Sequence, residues 1–214
     1  TFILMNKYNI LNNLETGDLI LFQGKHSIVS SIIELYTNSR WTHVGIVLKN
    51  PTFIDEKLKG LYLLESGEED LKDSEDNVYK YGVQIVDLKE KIDTYDGIVV
   101  TRKLKCNKKD FDMKLKIIHN TIHNKPYDLN VFDFIMTKLG ITKCDQGSFK
   151  YKLLNWIGYN PRKLDKMYCS SLVAYVYTEL GLLDKDTRWT DIFPYYFSSE
   201  NPNLRLNRAT LGPE

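Results

Sequence analysis

Apolar residues first appear as short, nearly unbroken β-rich runs separated by turns. The runs are Leu19-Ile20-Leu21-Phe22, Trp41 to Leu48, Leu61 to Ser66, Gly82 to Leu88 and Gly97 to Leu104. Runs of this length, rich in Val, Ile, Thr and aromatics, predict strands. Leu14-Glu15-Thr16-Gly17-Asp18 is the turn feeding the first, and Asn50-Pro51 breaks the second. In Trp41-Thr42-His43-Val44-Gly45-Ile46-Val47-Leu48 the two-residue period puts Trp41, His43, Gly45 and Val47 on one face. Thr42, Val44, Ile46 and Leu48 take the other. Both faces of this run and of Leu61 to Ser66 are apolar, which predicts a central strand and a sheet covered on both sides.

The pattern then changes to a helical period. Phe111, Leu115, Ile118 and Ile122 recur at i, i+4, i+7 and i+11 and predict a helix near 108–124. A helix is also expected over 27–36, with Ser27 as its cap and His26 just ahead of it in a loop. A short helical turn is expected at 89–94, and a helix at 129–139 ending on Gly140. Leu172, Val173, Val176 and Leu180 form one stripe starting at Cys169, and Gly181 is the stop signal. Residues 67–80 are acidic and aperiodic, and read as a mobile surface loop. Ile192-Phe193-Pro194-Tyr195-Tyr196-Phe197 reads as an aromatic strap on the core, and the last dozen residues as a frayed tail.

Composition narrows the class. The chain has 214 residues, of which 43% are hydrophobic. That suits one domain spanning 1–214, with a core from about 14 to 196. Lys and Arg number 29 against 28 Asp and Glu, for a net charge of +1. Such a balance gives no electrostatic reason to expect nucleic acid, and Lys103, Lys105, Lys108 and Lys109 are broken by acidic residues into a solvated face. No apolar run approaches the ~18 residues of a membrane span. No signal peptide is recognised, and the three cysteines (Cys106, Cys144, Cys169) are too widely spaced for a disulfide framework. A reducing compartment, cytoplasmic or virion-associated, is the expectation.

Chemistry enters at three residues. Cys169 falls in the first turn of its helix, where the dipole and unpaired N–H groups favour a thiolate. The same position equally suits a small buried packing residue. His43 is mid-strand and largely buried by its neighbours, so it is either a satisfied core histidine or a base. Glu65, near the end of an apolar strand, is costly to bury unless a cation or several donors meet it. His43 is a candidate partner for it, and the strand's solvated exit is the other reading. His119 and His123 stand at i, i+4, a spacing that suits two metal ligands. With no third ligand evident they read as a polar flank. No cofactor or metal is expected, and no P-loop, G-x-G-x-x-G or CxxC occurs.

Three islands stand in fixed order: Gly17-Asp18-Leu19-Ile20-Leu21, Ser39-Arg40-Trp41-Thr42-His43-Val44-Gly45-Ile46 and Tyr168-Cys169-Ser170-Ser171-Leu172-Val173. Together they resemble the circularly permuted papain-fold hydrolases of the NlpC/P60 superfamily, in particular the YiiX/YaeF-like permuted amidases with poxvirus relatives. In that group the histidine strand precedes the nucleophile helix. The resemblance implies an α+β fold, with an antiparallel sheet or half-barrel of about five to six strands packed against the nucleophile helix. It implies Cys169 as nucleophile, His43 as general base and acid, and Glu65 as the residue that orients His43. Tyr168, Ser170 and Trp41 are substrate-binding or oxyanion candidates. Relatives often carry an acidic residue after Cys-Ser, where this chain has Ser171. The lecithin:retinol acyltransferase-like group usually has a second histidine where Glu65 stands. Lys125-Pro126-Tyr127-Asp128 also resembles a turn of the relatives.

The expected activity is a thiol hydrolase of amidase or peptidase type, acting on an amide, isopeptide or acyl substrate through a thioester. Two alternatives stay open. One is a thiol acyltransferase or lipid esterase. The other is a catalytically silent papain-like binding or virion structural protein.

Overall fold

A computed structural model describes residues 11–24, 38–67, 70–127 and 167–214. The helices expected over 27–36 and 129–139, together with His26, Ser27 and Cys144, lie outside the described residues.

The elements are β1 (Leu19–Gly24), β2 (His43–Lys49), β3 (Leu61–Gly67), β4 (Gly82–Asp87), α1 (Leu88–Thr94), β5 (Gly97–Arg102), β6 (Leu104–Lys105), α2 (Phe111–Ile122), α3 (Cys169–Glu179) and β7 (Thr210–Leu211). Two 3₁₀ turns, Trp189–Asp191 and Pro194–Phe197, follow α3. Five strands form one antiparallel sheet in the order β4-β3-β2-β1-β5. The histidine strand is therefore central, as its apolar sequence predicts. The fold is α+β, with the sheet packed against the helix that begins at Cys169.

Alternation sorts the sheet residues into two cores. Val44, Ile46 and Leu48 of β2 join Leu19, Leu21, Leu64 and Ile85 beneath α2 and α3. Ile20, Phe22, Val47, Leu63 and Val86 face the other way and are covered by Leu88 and Ile92 of α1. Burying each such side chain stabilises the fold by roughly 1.5–3 kcal/mol. Strand geometry starts only at His43, so the expected alternation does not reach back to Trp41. Trp41 joins the core on the α3 side instead.

Every residue of α3 from Cys169 to Thr178 is buried. A helix enclosed all round is held by several elements at once, here the sheet, α2 and the Trp189–Asp191 turn. Its C-terminus closes in a Schellman motif. Gly181 is at φ 80°, its N–H bonds to Thr178 O at 2.9 Å, and Leu182 N–H bonds to Tyr177 O at 2.8 Å.

The Gly17-Asp18 turn is a buried tether. Asp18 is fully buried. Its carboxylate accepts from Glu15 N at 2.9 Å and Leu104 N at 2.9 Å, and it pairs with Lys103. Gly17 O accepts from the Tyr177 hydroxyl at 2.7 Å, which fastens β1 to α3.

Two expectations are corrected. The tail is docked rather than frayed. β7 pairs with β6, and Arg102 donates to Gly212 O at 2.7 Å, Leu211 O at 3.2 Å and Phe197 O at 2.9 Å. A partly buried guanidinium needs such acceptors, and the last residues supply them. The acidic stretch, in its described part 70–80, is also hydrogen-bonded in place. Ser74 N donates to Ile85 O at 2.7 Å, and Asp73, 1% exposed, accepts from Ile85 N at 3.1 Å.

Candidate functional site

The site forms where the end of β3, the start of β2 and the first turn of α3 meet. Ser66 and Ser170 set this junction. Ser66 Oγ donates to Met167 O at 2.6 Å and ties β3 to the residues before the helix. Ser170 Oγ donates to Ile192 O at 2.6 Å, and the Tyr168 hydroxyl donates to Thr190 O. Ser171 Oγ accepts from Tyr168 N–H at 3.0 Å. At the third helical position it performs the back-bonding half of a capping box, a task more often given to Glu or Gln.

His43 and Glu65 lie on the α1 side of the sheet. His43 Nε2 is 2.6 Å from Glu65 Oε2. The Phe22 ring packs beside the imidazole, with centroids 5.3 Å apart. Glu65 is 0% exposed and would be untenable alone. Its second oxygen accepts from Lys91 Nζ at 2.8 Å and Gln84 Nε2 at 3.1 Å. Lys91 also pairs with Asp70 at 2.7 Å. The carboxylate is thus met by a cation, an amide and an imidazole.

The electrostatics follow from that packing. Burial by itself would push His43 down. The neighbouring Cys169 sulfur, then Glu65, outweigh it and raise His43 to about 10. Burial by itself would raise Glu65, and Lys91 followed by His43 overrides it, holding the carboxyl at about 2. Burial also opposes the charge on Lys91, yet Glu65 and Asp70 raise it. His43 is therefore influenced by both Cys169 and Glu65. At neutral pH its ring is an imidazolium beside the Glu65 carboxylate. The Cys169 residue is 3% exposed, while the His43 side chain keeps 19%.

The three residues with expected catalytic roles are brought together, and the other candidates differ. The hydroxyls of Tyr168 and Ser170 are engaged with main-chain carbonyls of residues 190 and 192 and anchor the start of α3. Trp41 is 0% exposed, with Arg40 stacked 4.8 Å over its ring, and lines no open groove. Lys91, Gln84, Asp70 and Ser66 were missed from sequence. The signal for Lys91 was indirect: a buried Glu65 demanded a cation, and α1 begins one residue after a strand of the same sheet. A depression of about 400 Å³ lined by Lys114, Thr178, Glu179, Gly181, Lys185 and Trp189 sits at the far end of α3 from Cys169.

His119 and His123 of α2 gain a neighbour the sequence did not reveal. Glu75 Oε2 lies 3.0 Å from His119 Nε2 and 3.2 Å from His123 Nδ1. The expectation of a polar flank without a third potential ligand is corrected, because the β3–β4 connection folds over α2.

Among the described residues no helix is long and apolar enough to cross a membrane. No family model matches the chain, and no curated protein matches it. Among solved structures it is similar to YiiX from Escherichia coli O157:H7, described as a metalloprotein. That likeness has a TM-score of 0.46 and 20% identity, over 93% of this chain and 89% of the other.

Proposed function

We propose that the protein is a thiol hydrolase of amidase or peptidase type, with Cys169 as nucleophile, His43 as acid and base, and Glu65 as the residue that orients His43. The observation that carries this reading is His43 held 2.6 Å from a buried carboxylate, with Cys169 and Glu65 together raising it to about 10. A core histidine needs one partner, and an imidazolium between a carboxylate and a thiolate is the arrangement of an activated nucleophile.

The thiolate attacks the substrate carbonyl carbon, and main-chain N–H groups at the start of α3 stabilise the oxyanion. The carbon–nitrogen bond breaks, His43 gives its proton to the departing amine, and a thioester remains on Cys169. Neutral His43 then takes a proton from water, which attacks the thioester, releases the acid and restores the thiolate. Glu65, fixed by Lys91 and Gln84, keeps the ring oriented and its positive charge favourable throughout. An acyltransferase or lipid esterase would share the first half and differ in the acceptor. A silent binding protein would have no need of the His43–sulfur contact.

The test is alkylation by a small electrophile, followed by an acyl or peptidyl activity-based probe with mass spectrometry at the modified residue. Cys169 is expected to react well ahead of Cys106, whose thiol is pushed up by burial. His43→Ala is expected to slow Cys169 by an order of magnitude or more. Equal rates for Cys169 and Cys106 in the folded protein would overturn the proposal.

A further inference from the structure

We propose a second site, a divalent-metal site formed by Glu75, His119 and His123, which shares no residue with the cysteine site. Two imidazole nitrogens and one carboxylate oxygen, all within 4.8 Å of one another, come from two separate elements. His119 and His123 are one turn apart on α2, with ring centroids 4.9 Å apart. Glu75 arrives from the connection between β3 and β4.

Two of the three ligand separations approach those of a coordination shell. A tetrahedral metal about 2.0–2.2 Å from each ligand spaces those ligands about 3.3–3.6 Å apart. The two carboxylate–imidazole separations are 3.0 and 3.2 Å. Both ring nitrogens lie this close to the same Glu75 Oε2, a buried oxygen. Two ring nitrogens gathered on one carboxylate oxygen suit a shared cation.

The loop that presents Glu75 is built to hold it. Glu75 N donates to Asp73 Oδ1 at 2.7 Å, Asp73 N to Val78 O at 2.8 Å and Asn77 N to Asp73 O at 2.8 Å. Lys57 donates to Glu75 O. Lys80 engages Asp73 at 3.1 Å and Asp76 at 2.6 Å, so those two charges do not compete for the cation. The Glu75 and His123 side chains keep 22% and 30% exposure while His119 keeps 7%. One side is therefore open to a fourth ligand such as water. Two nitrogens with one oxygen is a borderline donor set that suits Zn²⁺ and accepts Co²⁺, and not Mg²⁺ or Ca²⁺. Bound there, the metal would clamp the β3–β4 connection onto α2.

The experiment uses the full chain, freed of metal by a chelator, and titrates Co²⁺ and then Zn²⁺. The expected result is one equivalent of Co²⁺ with visible bands of four-coordinate geometry and no thiolate-to-cobalt charge transfer, displaced by one equivalent of Zn²⁺. Free Zn²⁺ about 100-fold above its Kd should raise Tm by about 5–10 °C. Glu75→Gln and His123→Ala should each weaken binding by ~100-fold or more, since loss of even an outer-shell partner costs ~10–100-fold. Cys169→Ala should bind like wild type. Glu75→Gln keeps shape and His123 is partly exposed, and circular dichroism checks both folds. If either variant fails to fold, the wild-type cobalt spectrum decides. No saturable cobalt bands, binding unchanged in both variants, or binding lost in Cys169→Ala would each overturn the proposal.

Discussion

Lys91→Met tests the buried charge network most sharply, because it removes a charge but keeps most of the side chain's length. The Lys91 and Glu65 side chains are 6% and 0% exposed and 2.8 Å apart, so solvent does little to screen them. Breaking such a pair from one side typically costs about 3–5 kcal/mol, because the remaining charge is stranded. Glu65 would keep His43 at 2.6 Å and Gln84 at 3.1 Å, and Asp70, 45% exposed, can turn to water. The lower end, about 3 kcal/mol, is therefore expected at pH 7. For a chain of this size that is about 6–12 °C in Tm. The pH dependence has a definite sign. Glu65 is held at about 2, below its usual 4.5, so its contribution is present above 4.5 and fades as pH falls toward 2. Without Lys91 the carboxyl takes up a proton earlier, so the Lys91→Met penalty should shrink below about pH 4.5. Urea and thermal unfolding at pH 7 and pH 3.5 measure this. A double variant with Glu65→Leu should show at least ~1.5 kcal/mol of coupling. A loss under ~0.5 kcal/mol at pH 7, or strictly additive effects, would refute the reasoning.

Three further outcomes are expected. His43 is raised from 6.5 to about 10, so its contribution is full below 6.5 and lost as pH climbs through 10. Urea midpoints of the wild type should decline over that range, and Cys169→Ala, which lacks the sulfur anion, should flatten the decline. An identical slope would show that Cys169 carries no charge beside His43. Ser66→Ala removes the donor to the buried Met167 carbonyl, which should cost about 1–3 kcal/mol and slow alkylation of Cys169. Unchanged labelling would separate that bond from placement of the thiol. Gly45→Ala would put its Cβ 2.7–2.8 Å from Leu63 Cδ1 and Cγ, an overpacking cost of about 1–3 kcal/mol measurable by thermal unfolding. A neutral effect would mean that Leu63 can move aside without loss.

Strand and helix signals were legible in the sequence because each rests on a local period. β1 to β5, α2 and α3 begin and end within a few residues of their apolar patterns, and Gly181 marks the end of α3. The pairing of His43 with Glu65 was also partly legible, because a carboxylate at the end of an apolar strand demands a partner. The register decided which partners it has. β2 and β3 pair antiparallel with Ile46 opposite Leu64, which brings the start of one strand beside the end of the other. α1 then lays Lys91 across the same face.

What the sequence by itself determined is the set of elements and the residues able to do chemistry: a first-turn Cys169, a strand-borne His43 and a Glu65 that cannot be buried alone. What only the tertiary structure decided is who meets whom. The hydroxyls of Tyr168 and Ser170 anchor the helix start because carbonyls of residues 190 and 192, some twenty residues later, take their protons. The tail is held because Arg102, over a hundred residues earlier, needs its carbonyls. Glu75 reaches His119 and His123 because the β3–β4 connection crosses α2. Each of these depends on chain segments far apart in sequence, and no local periodicity records such contacts. Elements follow from short-range sterics and burial, whereas a site follows from long-range satisfaction of buried polar groups.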